Sequence, residues 1–316
     1  MSVIDVLVMV PCRPEQFALL EQRYRLHRYD LADSAGKTHI LEQFASSIRA
    51  VITTHTGGFP EALLDRLPNV EIVAVASVGF DTVCIDACEK RSVAVTNTPD
   101  VLTDDVADMA LMLLLNTVRR LLNGVDWIRS GRWQRQEVMP LNTSLTGKRV
   151  GIVGLGRIGK AIAHRCEAFG LLVCYYGRRE QEAVTYAWYS DLTEMAENVD
   201  VMMVVVPGGI QTQGLISKKV LKALGKDGYF INVSRGSVVD EDALIEALES
   251  GDIKGAGLDV FANEPYVPAR LLALDNVVLQ PHCASATEET RGAMSQLVVD
   301  NLAAHFAGQA LLTKVY

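Results

Sequence analysis

The stretch that most constrains the fold of this chain is Val150–Gly159, with the sequence VGIVGLGRIG. Its apolar first part predicts a buried strand, and Gly154, Gly156 and Gly159 follow in G-x-G-x-x-G spacing. The apolar residues beyond them recur at helical spacing, so the glycines lie between a strand and a helix. In this setting the first glycine makes a tight turn, the second lets the backbone approach a pyrophosphate, and the third lets the helix pack on the strand. The stretch therefore predicts a dinucleotide site with its phosphates at a helix N-terminus.

The composition limits the class of protein. The 316 residues suffice for two domains, and the net charge of −8 argues against nucleic acid or an anionic membrane as the main partner. No apolar run reaches the ~18 residues that a membrane span needs. The N-terminus has no basic region before its apolar run, and the six cysteines show no metal-ligand spacing. We therefore expect a cytoplasmic protein with reduced thiols and no metal.

Apolar runs alternate with helical segments in the first part of the chain. The predicted strands are Val3–Val10, Ala50–Thr53, Ile72–Ala76 and Val93–Thr96, and the predicted helices are Glu15–His27, Ile40–Ser47 and Glu61–Leu67. Near-continuous apolar strands separated by helices indicate an α/β fold with a parallel sheet that is covered on both faces.

A second part of the chain begins at Pro99. The apolar residues between 106 and 121 predict a long helix that is buried at a domain or subunit contact, and an irregular arm follows from Gly131 to Thr146. Six strands with helices between them then match a complete doubly wound dinucleotide fold. These strands are Val150–Val153, Val173–Tyr176, Val201–Val206, Tyr229–Val233, Gly255–Val260 and Val277–Leu279. A final helix over Thr287–Ala307 would make the first domain discontinuous if it recrosses.

The turn after the second of these strands indicates which dinucleotide is bound. A carboxylate usually ends this strand when the ribose carries a free 2′-hydroxyl, but here Gly177 is followed by Arg178 and Arg179. Paired guanidinium groups bind a 2′-phosphate through charge-assisted hydrogen bonds, although a solvated basic pair on a loop is also common. We therefore expect NADP(H) as the preferred cofactor, with NAD(H) as the alternative.

Three later stretches place reactive side chains at predicted strand ends, where doubly wound folds bind ligands. They supply Arg235, Glu264 and His282. An arginine can hold a carboxylate, a histidine can donate a proton to a developing alkoxide, and a nearby carboxylate orients the ring. These are the groups that the reduction of a 2-oxo acid requires. Each also has an ordinary structural explanation, as a turn arginine, a loop glutamate or a histidine after proline.

The ordered set VGLGRIG, NVSRGSVVDEDAL, GAGLDVFANEP and QPHCASAT resembles the D-isomer-specific 2-hydroxyacid dehydrogenases. The segment VFANEPYVP, the GRR turn and the ending LLTKVY are similar to the branch of NADPH-using glyoxylate/hydroxypyruvate and hydroxyphenylpyruvate reductases. The resemblance implies two doubly wound parallel-sheet domains, a Rossmann cofactor domain inserted in a flavodoxin-like substrate domain. Their expected bounds are 1–98 with 286–316 for the substrate domain and 99–285 for the dinucleotide-binding domain.

The resemblance also implies roles for single residues. Arg235, Glu264 and His282 would be catalytic, and the backbone N–H groups of Val78 and Gly79 would bind the substrate together with Arg235 and His282. The expected cofactor contacts are Gly154, Gly156, Arg157, Ile158, Gly159, Gly177, Arg178, Arg179, Val206, Pro207, Thr212, Val233, Ser234, Arg235, Asp259, His282 and Ala284. A homodimer would form through the helix and arm over 103–142.

Three alternative functions remain open from the sequence. The first two are a hydroxyphenylpyruvate reductase and a phosphoglycerate-type dehydrogenase of the same family, of which Gly177 disfavours the second because it replaces the acid of NAD-dependent members. The third is a dinucleotide-sensing corepressor or scaffold without turnover, which the Arg235, Glu264 and His282 set alone does not exclude. The expected function is thus the NADPH-dependent reduction of glyoxylate, hydroxypyruvate or a similar small 2-oxo acid to the D-2-hydroxy acid.

Overall fold

The computed structural model describes residues 3–316, which fall into two compact units. The outer unit combines the chain up to Leu102 with Ser285–Tyr316, and the inner unit is Thr103–Ala284. The strands are β1 (Ile4–Val8), β2 (Tyr24–Arg28), β3 (Ile48–Thr53), β4 (Ile72–Val75), β5 (Ala94–Thr96), β6 (Arg149–Val153), β7 (Leu172–Tyr176), β8 (Ala187–Tyr189), β9 (Val201–Val204), β10 (Tyr229–Asn232), β11 (Gly255–Leu258) and β12 (Val277–Leu279). The helices are α1 (Pro14–Glu21), α2 (Ser34–Phe44), α3 (Glu61–Leu64), α4 (Ile85–Lys90), α5 (Thr103–Arg119), α6 (Leu121–Arg129), α7 (Arg157–Ala168), α8 (Leu192–Glu197), α9 (Lys218–Leu224), α10 (Glu241–Ser250), α11 (Ala269–Leu272) and α12 (Glu288–Phe306).

The outer unit is built on a five-stranded sheet in the order β2-β1-β3-β4-β5, and every strand pair in it is parallel. This is the flavodoxin-like strand order. Val6, Leu7 and Val8 of the central β1 are fully buried, which matches a sheet covered on both faces. The final helix α12 belongs to this unit, so the outer unit is discontinuous in sequence.

The predicted helix Glu15–His27 is wrong beyond Glu21, because residues 24–28 form β2. Tyr24 and His27 are buried while Arg25 is exposed, and the strand pairs with β1 residue by residue. His27 Nε2 lies 2.7 Å from Asp5 Oδ1 of β1, so a buried polar pair joins the two strands. β1 pairs with β3 along one edge, and pairing along its other edge makes residues 24–28 a strand. The spacing of apolar residues alone cannot reveal such a partner.

The inner unit contains a seven-stranded, fully parallel sheet in the order β8-β7-β6-β9-β10-β11-β12. The order reverses between β6 and β9, which is the switch point where such sheets bind ligands. The predicted doubly wound fold is confirmed, with one strand more than expected. The additional strand β8 has only three residues, none of them buried, and therefore lacks the apolar run that marks the others.

The apolar helix predicted before the dinucleotide motif is α5, and it is buried within its own unit. It packs on α7 and on strands β10, β11 and β12, with Leu113 and Leu114 completely buried. The helix ends at Arg119, and Arg120 adopts a left-handed conformation with φ of 50° before α6 begins. Within residues 3–316, no helix is long and apolar enough to cross a membrane.

Candidate active site

The glycine-rich turn between β6 and α7 has the geometry of a phosphate-binding loop. Gly154 has φ of +100°, and a methyl group there would lie 2.7 Å from Val206 Cγ1. A methyl group on Gly159 would overlap the carbonyl oxygen of Gly154, so helix and turn are in direct backbone contact. At Gly156, the residue preceding α7, no atom lies within 4 Å of the corresponding position, and no side chain caps the helix. Open space in front of an uncapped helix N-terminus fits a pyrophosphate, and Arg157 and Ile158 begin that helix.

The turn after β7 carries the two arginines predicted to bind a 2′-phosphate. Gly177 follows β7 directly, and its carbonyl oxygen accepts a hydrogen bond of 3.0 Å from Trp188 Nε1. Arg178 and Arg179 are both exposed. The turn presents positive charge where an NAD-type site would present a carboxylate, which fits a phosphate-bearing ribose.

His282 and Glu264 form a hydrogen-bonded pair. His282 Nδ1 lies 2.7 Å from Glu264 Oε2, and Glu264 Oε1 accepts the N–H of Phe261 at 3.0 Å. Their side chains are 22% and 26% exposed, so the pair is largely shielded from solvent. His282 has φ of 51°, a strained conformation for a residue with a side chain. With both of its carboxylate oxygens engaged, Glu264 fixes the orientation of the imidazole through Nδ1.

Arg235 lies on a turn that packs directly against the loop of Glu264. The amide of Asn232, at the end of β10, accepts the N–H of Ser234 at 3.0 Å and donates to the carbonyl oxygen of Arg235 at 3.1 Å. A methyl group on the next residue, Gly236, would overlap the carbonyl group of Phe261. The absence of a side chain at Gly236 therefore lets two distant segments meet, and they bring Arg235 to the loop that carries Glu264.

Asp259 holds the backbone around His282. It is 1% exposed, and its carboxylate accepts the N–H groups of Cys283 at 2.8 Å and Ala284 at 2.9 Å. Its carbonyl oxygen accepts the N–H of His282 at 2.8 Å. Burial raises the pKa of the Asp259 carboxyl group, while the two backbone donors act in the opposite direction. Asp259, one of the expected cofactor contacts, thus also fixes the backbone of the candidate catalytic histidine.

The remaining predicted cofactor contacts follow β9 and β10 at the same, carboxyl edge of the sheet. Val206 fills the space beside Gly154, and its carbonyl oxygen accepts a 2.7 Å hydrogen bond from Ser234 Oγ. Thr212 Oγ1 donates to the carbonyl oxygen of Pro207 at 2.7 Å, which closes the loop after β9. Val233, which follows β10 directly, is buried. The dinucleotide turn and the Arg235 turn are therefore neighbours.

In the outer unit, Val78 and Gly79 lie in a turn whose peptide groups are held from one side. The carbonyl oxygen of Ser77 accepts the N–H of Thr98 at 3.1 Å, and that of Val78 accepts Asn97 Nδ2 at 3.0 Å. In a trans peptide the N–H points away from its carbonyl oxygen. The N–H groups of Val78 and Gly79 therefore point away from the Asn97–Thr98 segment, as two neighbouring donors able to bind one carboxylate.

The sequence did not predict two side chains that hold these groups in place. Asn97 orients the Val78 peptide, and its own carbonyl oxygen accepts a 2.6 Å hydrogen bond from Thr313 Oγ1. Glu241 Oε1 accepts the N–H of Ala262 at 2.9 Å, next to the loop of Glu264. Glu241 lies in the first turn of α10, where the helix dipole favours acidic residues in any protein. Its position in the sequence therefore did not mark it as a site residue. Asn97 follows β5 directly, and this position at a strand end is the only sequence signal that could have marked it as a site residue.

Across residues 3–316, no group of three or more His, Cys, Asp or Glu side chains could hold a metal ion.

The site can be compared with known proteins. The family described as D-isomer specific 2-hydroxyacid dehydrogenase, NAD binding domain, matches residues 111–284. The chain is 46% identical over 315 residues to glyoxylate/hydroxypyruvate reductase A HPR2 of Arabidopsis thaliana and 45% identical to hydroxyphenylpyruvate reductase of Plectranthus scutellarioides, covering 100% of both chains in each case. It also resembles the structure of an NADPH-dependent glyoxylate/hydroxypyruvate reductase of Sinorhizobium meliloti in complex with NADP and malonate, with a TM-score of 0.92 and 45% identity over 99% of this chain and 97% of that one.

Proposed function

The chain belongs to the D-isomer-specific 2-hydroxyacid dehydrogenase family, and on that basis we propose that it reduces small 2-oxo acids of the glyoxylate and hydroxypyruvate class with NADPH. The product is the D-2-hydroxy acid. The observation that carries this proposal is the 2.7 Å pair of His282 and Glu264 beside the turn of Arg235, at the sheet edge where the dinucleotide turn opens. NAD(H) is the alternative cofactor.

The residues of the inner unit supply the polar chemistry of the reaction. When bound, the nicotinamide supplies a hydride to the carbonyl carbon of the substrate. His282 donates a proton from Nε2 to the carbonyl oxygen as its negative charge develops. Glu264 accepts from Nδ1 and stabilises the positive charge of the protonated ring. The guanidinium group of Arg235 holds the carboxylate and carbonyl oxygens of the substrate.

The outer unit is proposed to bind the substrate carboxylate. The N–H groups of Val78 and Gly79 act as the donors, because the Asn97–Thr98 segment holds the carbonyl oxygens of the two peptides on the opposite side. This assignment makes the outer unit the substrate domain and the inner unit the dinucleotide-binding domain.

We also propose that the protein is a homodimer that assembles through the helix and arm over 103–142. The support is a run of exposed apolar side chains on α6 and the arm, where monomeric proteins rarely place so many. These side chains are Leu121, Leu122, Ile128, Trp133, Val138 and Leu141, which are 54% to 97% exposed. Because α5 is buried within the inner unit, we expect α6 and the arm to form most of the interface.

A cytoplasmic location is part of the proposal. All six cysteines lie within residues 3–316 and none of them forms a disulfide bond there, which suits a reducing compartment. Burial raises the pKa of the Cys166 thiol to about 12, so this thiol is protonated and unreactive at neutral pH.

The test of the proposed function is an assay of NADPH oxidation with glyoxylate, hydroxypyruvate, pyruvate and 4-hydroxyphenylpyruvate. We expect turnover with glyoxylate or hydroxypyruvate, and kcat/KM at least about tenfold higher with NADPH than with NADH. A strong preference for 4-hydroxyphenylpyruvate would replace the substrate assignment. Absence of turnover with every 2-oxo acid, with NADPH binding intact, would instead favour a dinucleotide-sensing binding protein.

The roles of the side chains are tested by Arg235→Ala and His282→Ala. We expect kcat/KM to fall by about 10²- to 10⁴-fold in each variant, because a proton donor or a carboxylate-binding group is lost. NADPH binding, measured by calorimetry, should survive in both variants. Near-normal turnover in both variants would contradict the mechanism.

A further inference from the structure

Gln181 links the two phosphate-binding parts of the cofactor site. Its side-chain Nε2 donates to the carbonyl oxygen of Leu155 at 2.8 Å, and its backbone N–H donates to the hydroxyl group of Tyr175 at 2.8 Å. Leu155 lies between the first two glycines of the dinucleotide turn. We propose that Gln181 is a positioning residue that selects NADPH by holding the basic turn, residues 177–180, in register with the glycine-rich turn. The proposal rests on the NADPH-dependent function proposed above.

The bond to Leu155 orients the peptide that precedes α7. Because C=O and N–H point in opposite directions in a trans peptide, fixing the Leu155 carbonyl oxygen toward Gln181 turns the N–H of Gly156 the other way. A methyl group on Gly156 would meet no atom within 4 Å, and Gly156 stands at the uncapped end of the helix. Gln181 thereby helps to direct the N–H of Gly156 toward the side of the turn that receives the pyrophosphate.

The bond to Tyr175 fixes the other end of the basic turn. Tyr175 is 1% exposed in β7, so its hydroxyl group is a rigid anchor. At the start of the turn, Trp188 Nε1 holds the carbonyl oxygen of Gly177. Arg178 and Arg179 are thus carried on a short segment that is anchored at both ends, and one of these anchors is the residue that also bonds to the glycine-rich turn.

This link affects the two dinucleotides differently. Pyrophosphate and 2′-phosphate belong to one molecule, so their binding groups must be held at a matching separation before the ligand arrives. NADH has no 2′-phosphate and needs only the glycine-rich turn. Loss of the Gln181 side chain should therefore weaken NADPH binding more than NADH binding.

The experiment measures Kd for NADPH and NADH by isothermal titration calorimetry on the full chain without substrate. Gln181→Met keeps the length and packing of the side chain but removes the donor, and Gln181→Ala serves as a second variant if Gln181→Met is poorly folded. We expect the NADPH Kd to rise about tenfold and the NADH Kd to rise less than about threefold, because one hydrogen bond and the register of the basic turn are lost. Gln309→Ala, a substitution of an exposed glutamine in the outer unit, should leave both values unchanged.

A double-mutant cycle separates this inference from the proposed function. In an Arg178→Ser, Arg179→Ser background, Gln181→Met should raise the NADPH Kd by no more than it raises the NADH Kd of the wild type, less than about threefold, since only the bond to the glycine-rich turn still contributes there. An unchanged NADPH Kd in Gln181→Met, or an equal rise for both cofactors, would overturn the role of Gln181 alone. If removal of the two arginines leaves NADPH binding intact, both the phosphate-binding role of the turn and the inference fail.

Discussion

Two alanine substitutions in the glycine-rich turn, three residues apart, should affect different properties of the protein. In Gly159→Ala, the new methyl group overlaps the carbonyl oxygen of Gly154, which is backbone and cannot swing aside. Gly156 has φ of −79° and open space around the position of the methyl group, so Gly156→Ala fits the unliganded fold. The first change should therefore affect folding and the second should affect only cofactor binding.

The magnitudes follow from these contacts. Forcing a methyl group into a packed backbone contact costs about 1–3 kcal/mol or more, which lowers Tm by about 2–12 °C for a unit of this size. Gly156→Ala should change Tm little or raise it slightly, because alanine reduces the entropy of the unfolded chain by about 0.4–1 kcal/mol. Its methyl group would keep the pyrophosphate from the backbone N–H groups, and loss of one charge-assisted hydrogen bond corresponds to about a 10- to 150-fold rise in the NADPH Kd.

The assay combines thermal unfolding followed by circular dichroism with calorimetric titration of NADPH. Gly292→Ala is the control, since this glycine lies inside α12 with no atom within 4 Å of the new methyl group, and alanine favours helix there. A wild-type Tm for Gly159→Ala would refute the packing argument. A wild-type NADPH Kd for Gly156→Ala would show that the pyrophosphate does not approach this turn.

Two further predictions concern assembly and pH. Ile128→Glu, on the exposed apolar face of α6, should shift the protein from dimer to monomer in light scattering. Leu31→Glu, at an exposed leucine in the outer unit, should not change the oligomeric state. A dimeric Ile128→Glu would contradict the proposed interface. The hydrogen bonds from Arg49 lower the pKa of Glu71, with a smaller contribution from His305, so Glu71→Gln should lower stability by about 1 kcal/mol or less above pH 4.5. A carboxyl group with a lowered pKa loses its contribution to stability as it becomes protonated. The difference in unfolding free energy between Glu71→Gln and wild type should therefore shrink as the pH falls below 4.5. A difference that stays constant with pH in urea denaturation would disprove this prediction.

The parts of the fold with local signals could be predicted from the sequence. The turn from β6 into α7 combines an apolar run, glycines at fixed spacing and a helical pattern within about twenty residues, so no distant partner is needed to recognise it. The parallel arrangement of the strands also indicated that Arg235, Glu264 and His282 would gather at one edge of a sheet. The structure places Glu264 and His282 at hydrogen-bonding distance, as that arrangement suggested.

Features that depend on distant partners could not be predicted. Residues 24–28 become β2 because β1 offers an open edge, and β8 is too short and too exposed to carry a pattern. The bond of Gln181 to Leu155 spans 26 positions, and that of Asn97 to Val78 spans 19 positions. Neither residue type nor spacing marks such a bond, since the geometry arises only when the strands and turns are assembled.

The backbone bonds of Asp259 have a consequence for how the chain leaves the inner unit. The outer unit resumes at Ser285, only three residues after His282. Both residues between His282 and this crossing, Cys283 and Ala284, are held by the buried carboxylate of Asp259. These two bonds fix the direction of the backbone between His282 and the crossing. One buried residue, Asp259, therefore holds both the N–H of His282 and the start of the connection to the outer unit.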